Sequence, residues 1–233
     1  MIRVLIFDLD DTLFPERRFV QSGFKAVDDW LRTVNSIVGF QQEAEAEFNR
    51  GIRENIFNLA LRSLGVADDP QLIHQMVEVY RDHIPDINLF ADVVPALDLF
   101  KGQMQFGLLT DGYLNVQKRK VAALGIADRL HVIVYSDAYG RQAWKPSPIP
   151  YQQITKLLEC LPSECAYVGD NPAKDFVTAK RLNWFTIRVR RPGCEHFAVQ
   201  LDRIQEADTD IASLDELERA LERRGPNRVM KIN

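Results

Sequence analysis

Asp8 and Asp10 stand two residues apart in Phe7-Asp8-Leu9-Asp10-Asp11-Thr12, directly after an uncharged apolar run. Side chains alternate along an extended segment, so Asp8 and Asp10 point one way and Leu9 the other. Two like charges held that close repel, and a cation or a shared proton must offset the repulsion. A divalent cation with oxygen ligands is the usual solution. The plainer alternative is a polar turn ending a buried strand, where Asp is common. Three later segments carry complementary chemistry. Leu108-Leu109-Thr110-Asp111-Gly112 sets a hydroxyl and exposed backbone N–H groups at the end of another apolar run, where an anion can be held. Trp144-Lys145-Pro146-Ser147-Pro148 places a lysine just before a helical pattern. Its ammonium either neutralises a phosphate as a point charge or is simply solvated. Val168-Gly169-Asp170-Asn171-Pro172-Ala173-Lys174-Asp175 adds two carboxylates, Asp170 at a strand end and Asp175 at a helix start.

The elements that must position these groups are legible as runs and stripes. Residues 2–7, 105–109, 131–135, 166–168 and 185–189 are apolar without alternation, the pattern of strands buried on both faces of a parallel sheet. Helical patterns fall at 114–124, 149–158, 174–182 and 214–223. Alternation of this kind predicts an α/β fold, an open parallel sheet with right-handed crossovers and helices on both faces. Chemistry in such sheets sits at the carboxyl ends of the strands. Residues 15–92 break the alternation with three helical stripes and no strand, running through Phe19–Val34, Phe48–Leu64 and Leu72–Tyr80. Gly39, Gly65 and Asp68-Asp69-Pro70 supply the breaks. The organisation expected is a core of 1–14 and 93–233 carrying a helical insertion of 15–92. The tail 223–233 reads as a short strand or coil.

Composition narrows the class further. The 233 residues are 46% hydrophobic and 27% charged, an ordinary globular balance. Twenty-nine basic against 33 acidic side chains leave a net charge of −4, which lacks the general footprint of a nucleic-acid binder. No apolar stretch approaches the roughly 20 residues needed to span a bilayer, and the N-terminus does not read as a signal peptide. Cys160, Cys165 and Cys194 form neither a CxxC motif nor a cluster with histidine. A reduced, cytoplasmic protein is the expectation, without nucleic-acid or membrane partners; the sequence carries no signal for an oligomeric state.

In that order, DLDDT, a Thr at a strand end, a Lys-Pro lysine and GDNPAKD, the chain resembles the haloacid dehalogenase superfamily over nearly its whole length. The insertion after the first motif is similar to that family's helical cap of the first type. The resemblance implies a Rossmann-like core and a set of roles. Asp8 would be the nucleophile that forms an aspartyl-phosphate, and Asp10 the general acid and base. Mg²⁺ would be held by Asp8, the main-chain carbonyl of Asp10 and Asp170. Thr110 with the backbone of Asp111 and Gly112 would bind phosphoryl oxygens, and Lys145 would offset transition-state charge. Asp175 would support the lysine or the metal. Two departures stand out: Asn183 where the family often has glycine, and Phe14-Pro15, which stiffens the path into the insertion.

The expected activity is a Mg²⁺-dependent phosphatase acting on a small phosphorylated metabolite. Its rivals are a phosphomutase with the same motifs and a partner-binding protein that lost catalysis, although every expected catalytic position is filled. Asp10 argues against a dehalogenase, which the resemblance says lacks this second carboxylate. Lys25 is the only lysine in 15–92 and nothing marks it as the Schiff-base lysine of a phosphonatase. The insertion is expected to act as a lid hinged near Phe14-Pro15 and Phe90–Pro95. Arg17, Arg18, Arg50, Arg53 and Arg62 are its available cations.

Overall fold

The computed structural model describes residues 1–67 and 69–223. Asp68 and residues 224–233 lie outside that range, and with them the reading of the tail as strand or coil. The chain forms two compact units, Met1–Glu16 with the chain from Asn88 on, and Arg17–Ile87.

The first unit is built on one sheet of six strands: β1 (Val4–Phe7), β2 (Gln105–Thr110), β3 (Val132–Tyr135), β4 (Cys165–Gly169), β5 (Phe185–Val189) and β6 (Thr209–Ile211). All pairings are parallel and the order is β3-β2-β1-β4-β5-β6. Every residue of β1, β4 and β5 is buried; β1 and β4 accordingly run apolar without alternation, while β5 buries Thr186 and Arg188 between its apolar residues. Because β1 lies between β2 and β4, the chain reverses its direction of winding there, and open α/β sheets carry their ligand sites beyond the carboxyl ends of the strands at such a point. Phe7 is level with Leu108 on one side and Val168 on the other. Asp8 therefore emerges one residue beyond that level, and Thr110 and Asp170 two residues beyond it.

The second unit is helical: α1 (Glu16–Asn35, beginning on the last residue of the first unit), α2 (Phe40–Asn49), α3 (Ile56–Ser63) and α4 (Pro70–Asp82). The sequence predicts three helices here and the structure has four, because the chain breaks between α2 and α3. Gly51 at φ +88° and Asn55 at φ +57° take left-handed backbone that no helix continues through. Its core is Phe24, Val27, Leu31, Phe40, Ala44, Leu61, Leu72 and Met76. Phe24, Phe40 and Phe57 pack edge to face around it.

The first unit's own helices are α5 (Val93–Phe100), α6 (Leu114–Leu124), α7 (Pro148–Leu157), α8 (Phe176–Arg181) and α9 (Leu217–Glu222). Tyr151 and Ile154 of α7 and Phe176 and Ala179 of α8 are buried with Val4, Ile6, Leu109, Tyr167 and Trp184. Asn183 closes α8 with φ +63° and donates its N–H to the carbonyl of Lys180 at 2.9 Å. A short polar side chain tolerates that geometry, so the helix stop survives without glycine. The sequence reading missed α5 and β6. Val93–Phe100 is apolar nearly throughout and shows no stripe, and Thr209–Ile211 is too short and polar to read as a strand. The three cysteines are free, and Cys160 Sγ lies 3.4 Å from Cys165 Sγ. No described helix is long and apolar enough to cross a membrane.

Candidate active site

The loops leaving β1, β2, β3 and β4 bring the sequence-predicted residues together. Lys145, in the loop between β3 and α7, is the hub, and its side chain is wholly buried. Its ammonium donates to Asp8 Oδ1 at 2.6 Å, Asp175 Oδ1 at 2.7 Å and the Tyr167 hydroxyl at 2.9 Å. An ammonium has three protons, and here each has an acceptor. Burial works against the charge on Lys145, but Asp175, Asp8 and Tyr167 outweigh it and hold the lysine well above its ordinary value. The loop that carries Lys145 is tied down from below: both carboxylate oxygens of Asp111 accept its backbone N–H, at 3.1 and 3.0 Å. Asp111 thus acts here through its side chain, where the resemblance implied its backbone.

Asp8 follows β1 and donates its own N–H to the Val168 carbonyl at 2.8 Å. Its carboxyl is pushed up to about 7, chiefly by burial, with Lys145 pulling down and Asp175 pushing further up. Asp170, after β4, is raised well above the usual carboxylate range by burial and then by Asp175 and Asp8. No hydrogen-bond donor among the described residues reaches its carboxylate. Carboxylate oxygens of Asp8, Asp170 and Asp175 lie within 4.8 Å of one another. Asp175 spends one oxygen on Lys145 and the other on the Asn171 N–H at 3.0 Å. Asp8 and Asp170 are left crowded, buried and short of positive charge. A hard cation that takes oxygen ligands fits this donor set.

Asp10 faces α6. Its Oδ1 accepts from Lys120 at 2.6 Å and its Oδ2 from Gln117 at 2.9 Å, while Gln117 also donates to Thr110 Oγ1 at 2.6 Å. Gly112 follows at φ +124°. Four residues of this arrangement escaped the sequence reading: Gln117, Lys120, Tyr167 and Arg188. Arg188 in β5 is fully buried and donates to the Asp170 carbonyl at 3.0 Å. A signal existed for Arg188, a lone charge inside an apolar strand. Polar residues on a helix such as α6 read instead as a solvated face.

Residues 2–183 match the model of the haloacid dehalogenase-like hydrolases. The chain belongs to that family. The glyceraldehyde 3-phosphate phosphatase of Methanopyrus kandleri is 29% identical over 206 residues, covering 82% of this chain and 85% of that protein. Solved structures share the fold, and two of them illustrate it. The 2-haloacid dehalogenase of Pseudomonas syringae superposes with a TM-score of 0.67 at 24% identity, over 96% of this chain and all of that one. A HAD phosphatase of Thermococcus onnurineus gives a TM-score of 0.62, also at 24% identity, over 98% of this chain and 100% of that one. Members of the family typically use a divalent metal, in keeping with the buried aspartates of this hydrolase.

Proposed function

We propose that this hydrolase is a Mg²⁺-dependent phosphatase that cleaves a small phosphate monoester through an aspartyl-phosphate on Asp8. The observation that carries the reading is the Asp8 carboxylate, buried against Lys145 and within 4.8 Å of Asp170, at the switch point of a parallel sheet. A buried carboxylate with one oxygen anchored to an ammonium is oriented to attack with the other. Attack on phosphorus forms the Asp8–phosphate bond as the bond to the leaving oxygen breaks. Asp10 gives that oxygen a proton, then takes one from the water that hydrolyses the acyl-phosphate. Thr110 and the backbone of Asp111 and Gly112 hold phosphoryl oxygens, and Lys145 offsets the charge that grows on them. Asp175 supports the lysine.

Asp8, Asp170 and the main-chain carbonyl of Asp10 would hold Mg²⁺, which supplies charge neutralisation between an anionic nucleophile and an anionic phosphate. Asp10 also separates this reading from dehalogenation, where no leaving alkoxide needs a proton. The Methanopyrus relative, named for glyceraldehyde 3-phosphate, supports a substrate of about that size. The insertion, 15–92, is proposed as the cap that selects among such substrates. Phosphate release from a panel of small sugar and acid phosphates, with Mg²⁺ and with excess chelator, tests the assignment. Activity is expected on some of them with Mg²⁺ only; full activity in chelator would rule out the metal.

A further inference from the structure

The inner face of α6 is buried, and two of the residues it buries are polar. Gln117 is 1% exposed and Lys120 4% exposed, one helical turn apart, beside the apolar Val121 and Leu124. Lysine is almost never buried unless it is paired. Neither residue belongs to the motifs read above. We infer that Gln117 and Lys120 are positioning residues that fix the Asp10 carboxylate and the Thr110 hydroxyl, an inference that rests on the phosphatase reading.

The proton inventory carries the argument. In its ionised form, the form that takes the proton from water, Asp10 only accepts, so there the Gln117 atom 2.9 Å from its Oδ2 is the NH₂ nitrogen. That NH₂ has two protons. One goes to Asp10 Oδ2 and the other to Thr110 Oγ1, 2.6 Å away. Thr110 therefore uses its oxygen as an acceptor toward Gln117, and its own O–H is directed elsewhere, free to donate to a phosphoryl oxygen. Lys120 completes the clamp on Asp10 from the other oxygen, 2.6 Å away. The terminal torsion of an aspartate is broad, so an unclamped Asp10 would sweep through orientations of similar energy. A proton donor must sit within hydrogen-bond reach of the leaving oxygen, and a misplacement of about 1 Å can cost roughly 10²-fold. Gly112 leaves room for the clamp: a Cβ there would come within 3.2 Å of Gln117 Cδ, on backbone at φ +124° that other residues rarely adopt.

The test compares kcat/KM on two esters, because that ratio covers only the steps through phosphoryl transfer to Asp8. 4-Nitrophenyl phosphate has a leaving group that needs no proton; glycerol phosphate has one that does. Lys120→Met should lower kcat/KM on glycerol phosphate by about 10²-fold and on the aryl ester by less than about threefold, and Lys120→Arg should recover most of the loss. Gln117→Leu should in addition weaken competition by inorganic phosphate about tenfold, since Thr110 loses its orientation. Equal losses on both esters in step with a lowered Tm would make the pair merely structural and overturn the inference. Should Lys120→Met fail to fold, Gln117→Leu, which removes the donor on the other oxygen of Asp10, is held to the same comparison of the two esters. Wild-type protein inert toward both esters would instead bring down the phosphatase reading, and this inference with it.

Discussion

Asp8 and Asp10 are two residues apart, yet their environments differ in kind. Asp8 is enclosed and meets one shared ammonium, whereas Asp10 has a separate donor on each oxygen. In the proposed reaction this divides the labour: one carboxylate attacks and the other moves protons. Asp8→Asn should abolish turnover, because an amide is a poor nucleophile toward phosphorus. Asp10→Asn should lower kcat/KM on an alkyl phosphate by roughly 10²–10⁴-fold and spare a good leaving group. Mass spectrometry of acid-quenched Asp10→Asn protein should then find the phosphoryl group on Asp8; a label on Asp10 in the wild type would reverse the roles. The gathering of Asp8, Asp10, Thr110, Lys145, Asp170 and Asp175 was legible because each lies at or just past the end of a buried strand, or just before a helix, where polar residues interrupt apolar runs. Tyr167 was not, since a tyrosine inside a buried strand reads as core packing, and its hydroxyl contacts with Lys145 and Asp175 give it a second use.

At the scale of elements, the sheet fixes the register of the site and β5 anchors one side of it. The guanidinium of Arg188 lies in the middle of that anchor. It donates to the Asp170 carbonyl at 3.0 Å, to both oxygens of Glu206 at 3.1 and 2.8 Å, and to the His196 carbonyl at 2.7 Å. One side chain thus ties the loop after β4 to the chain between β5 and β6. Arg188→Leu leaves Glu206 without that partner and the carbonyls without their donor. Glu206 is partly exposed and keeps Arg190 at 3.5 Å, so the loss falls short of the roughly 3–5 kcal/mol of a fully buried pair; about 2 kcal/mol is expected, and the urea midpoint should fall by a corresponding amount at unchanged m-value. Replacing Glu206 by leucine as well should return part of that stability. A loss below about 1 kcal/mol would mean the loop is held by other contacts. The strands and helices that carry these anchors were read correctly where they were long and periodic. The second break in the helical unit was not, because its cause is backbone geometry at Gly51 and Asn55, which a stripe of apolar side chains does not record.

For the whole molecule, the crowding of carboxylates has a thermodynamic consequence that reaches beyond catalysis. Burial pushes the Asp8 carboxyl up to about 7 in the folded protein, against 3.8 for an ordinary aspartate. Glu16, at the start of α1, is likewise pushed up to about 7 by loss of water and by Asp10, and Asp170 moves in the same direction. Between pH 4 and 7 these three carboxyls therefore hold more protons in the folded chain than in the unfolded one, with His196, lowered by burial, acting the other way near the top of that window. Stability falls with rising pH wherever that is so, and the loss levels off above the folded value. For Asp8 alone the drop across this window amounts to at most about 4 kcal/mol. Lys145 contributes no slope here, because its raised value stabilises the fold throughout this range and that contribution is lost only in strong alkali. A divalent cation binds the ionised carboxylates, so it should act on the folded state most where they have given up their protons. In chelator, Tm is expected to decline from pH 5 to pH 7.5. Mg²⁺ at about 100 times its Kd should restore roughly 2.7 kcal/mol at pH 7.5 and much less at pH 5, where protons already neutralise the site. The measurement is a pair of thermal melts at each pH. An increment from Mg²⁺ that is the same at both pH values would show that the ion binds away from Asp8 and Asp170, and a Tm that rises from pH 5 to 7.5 in chelator would show that these carboxylates ionise without cost.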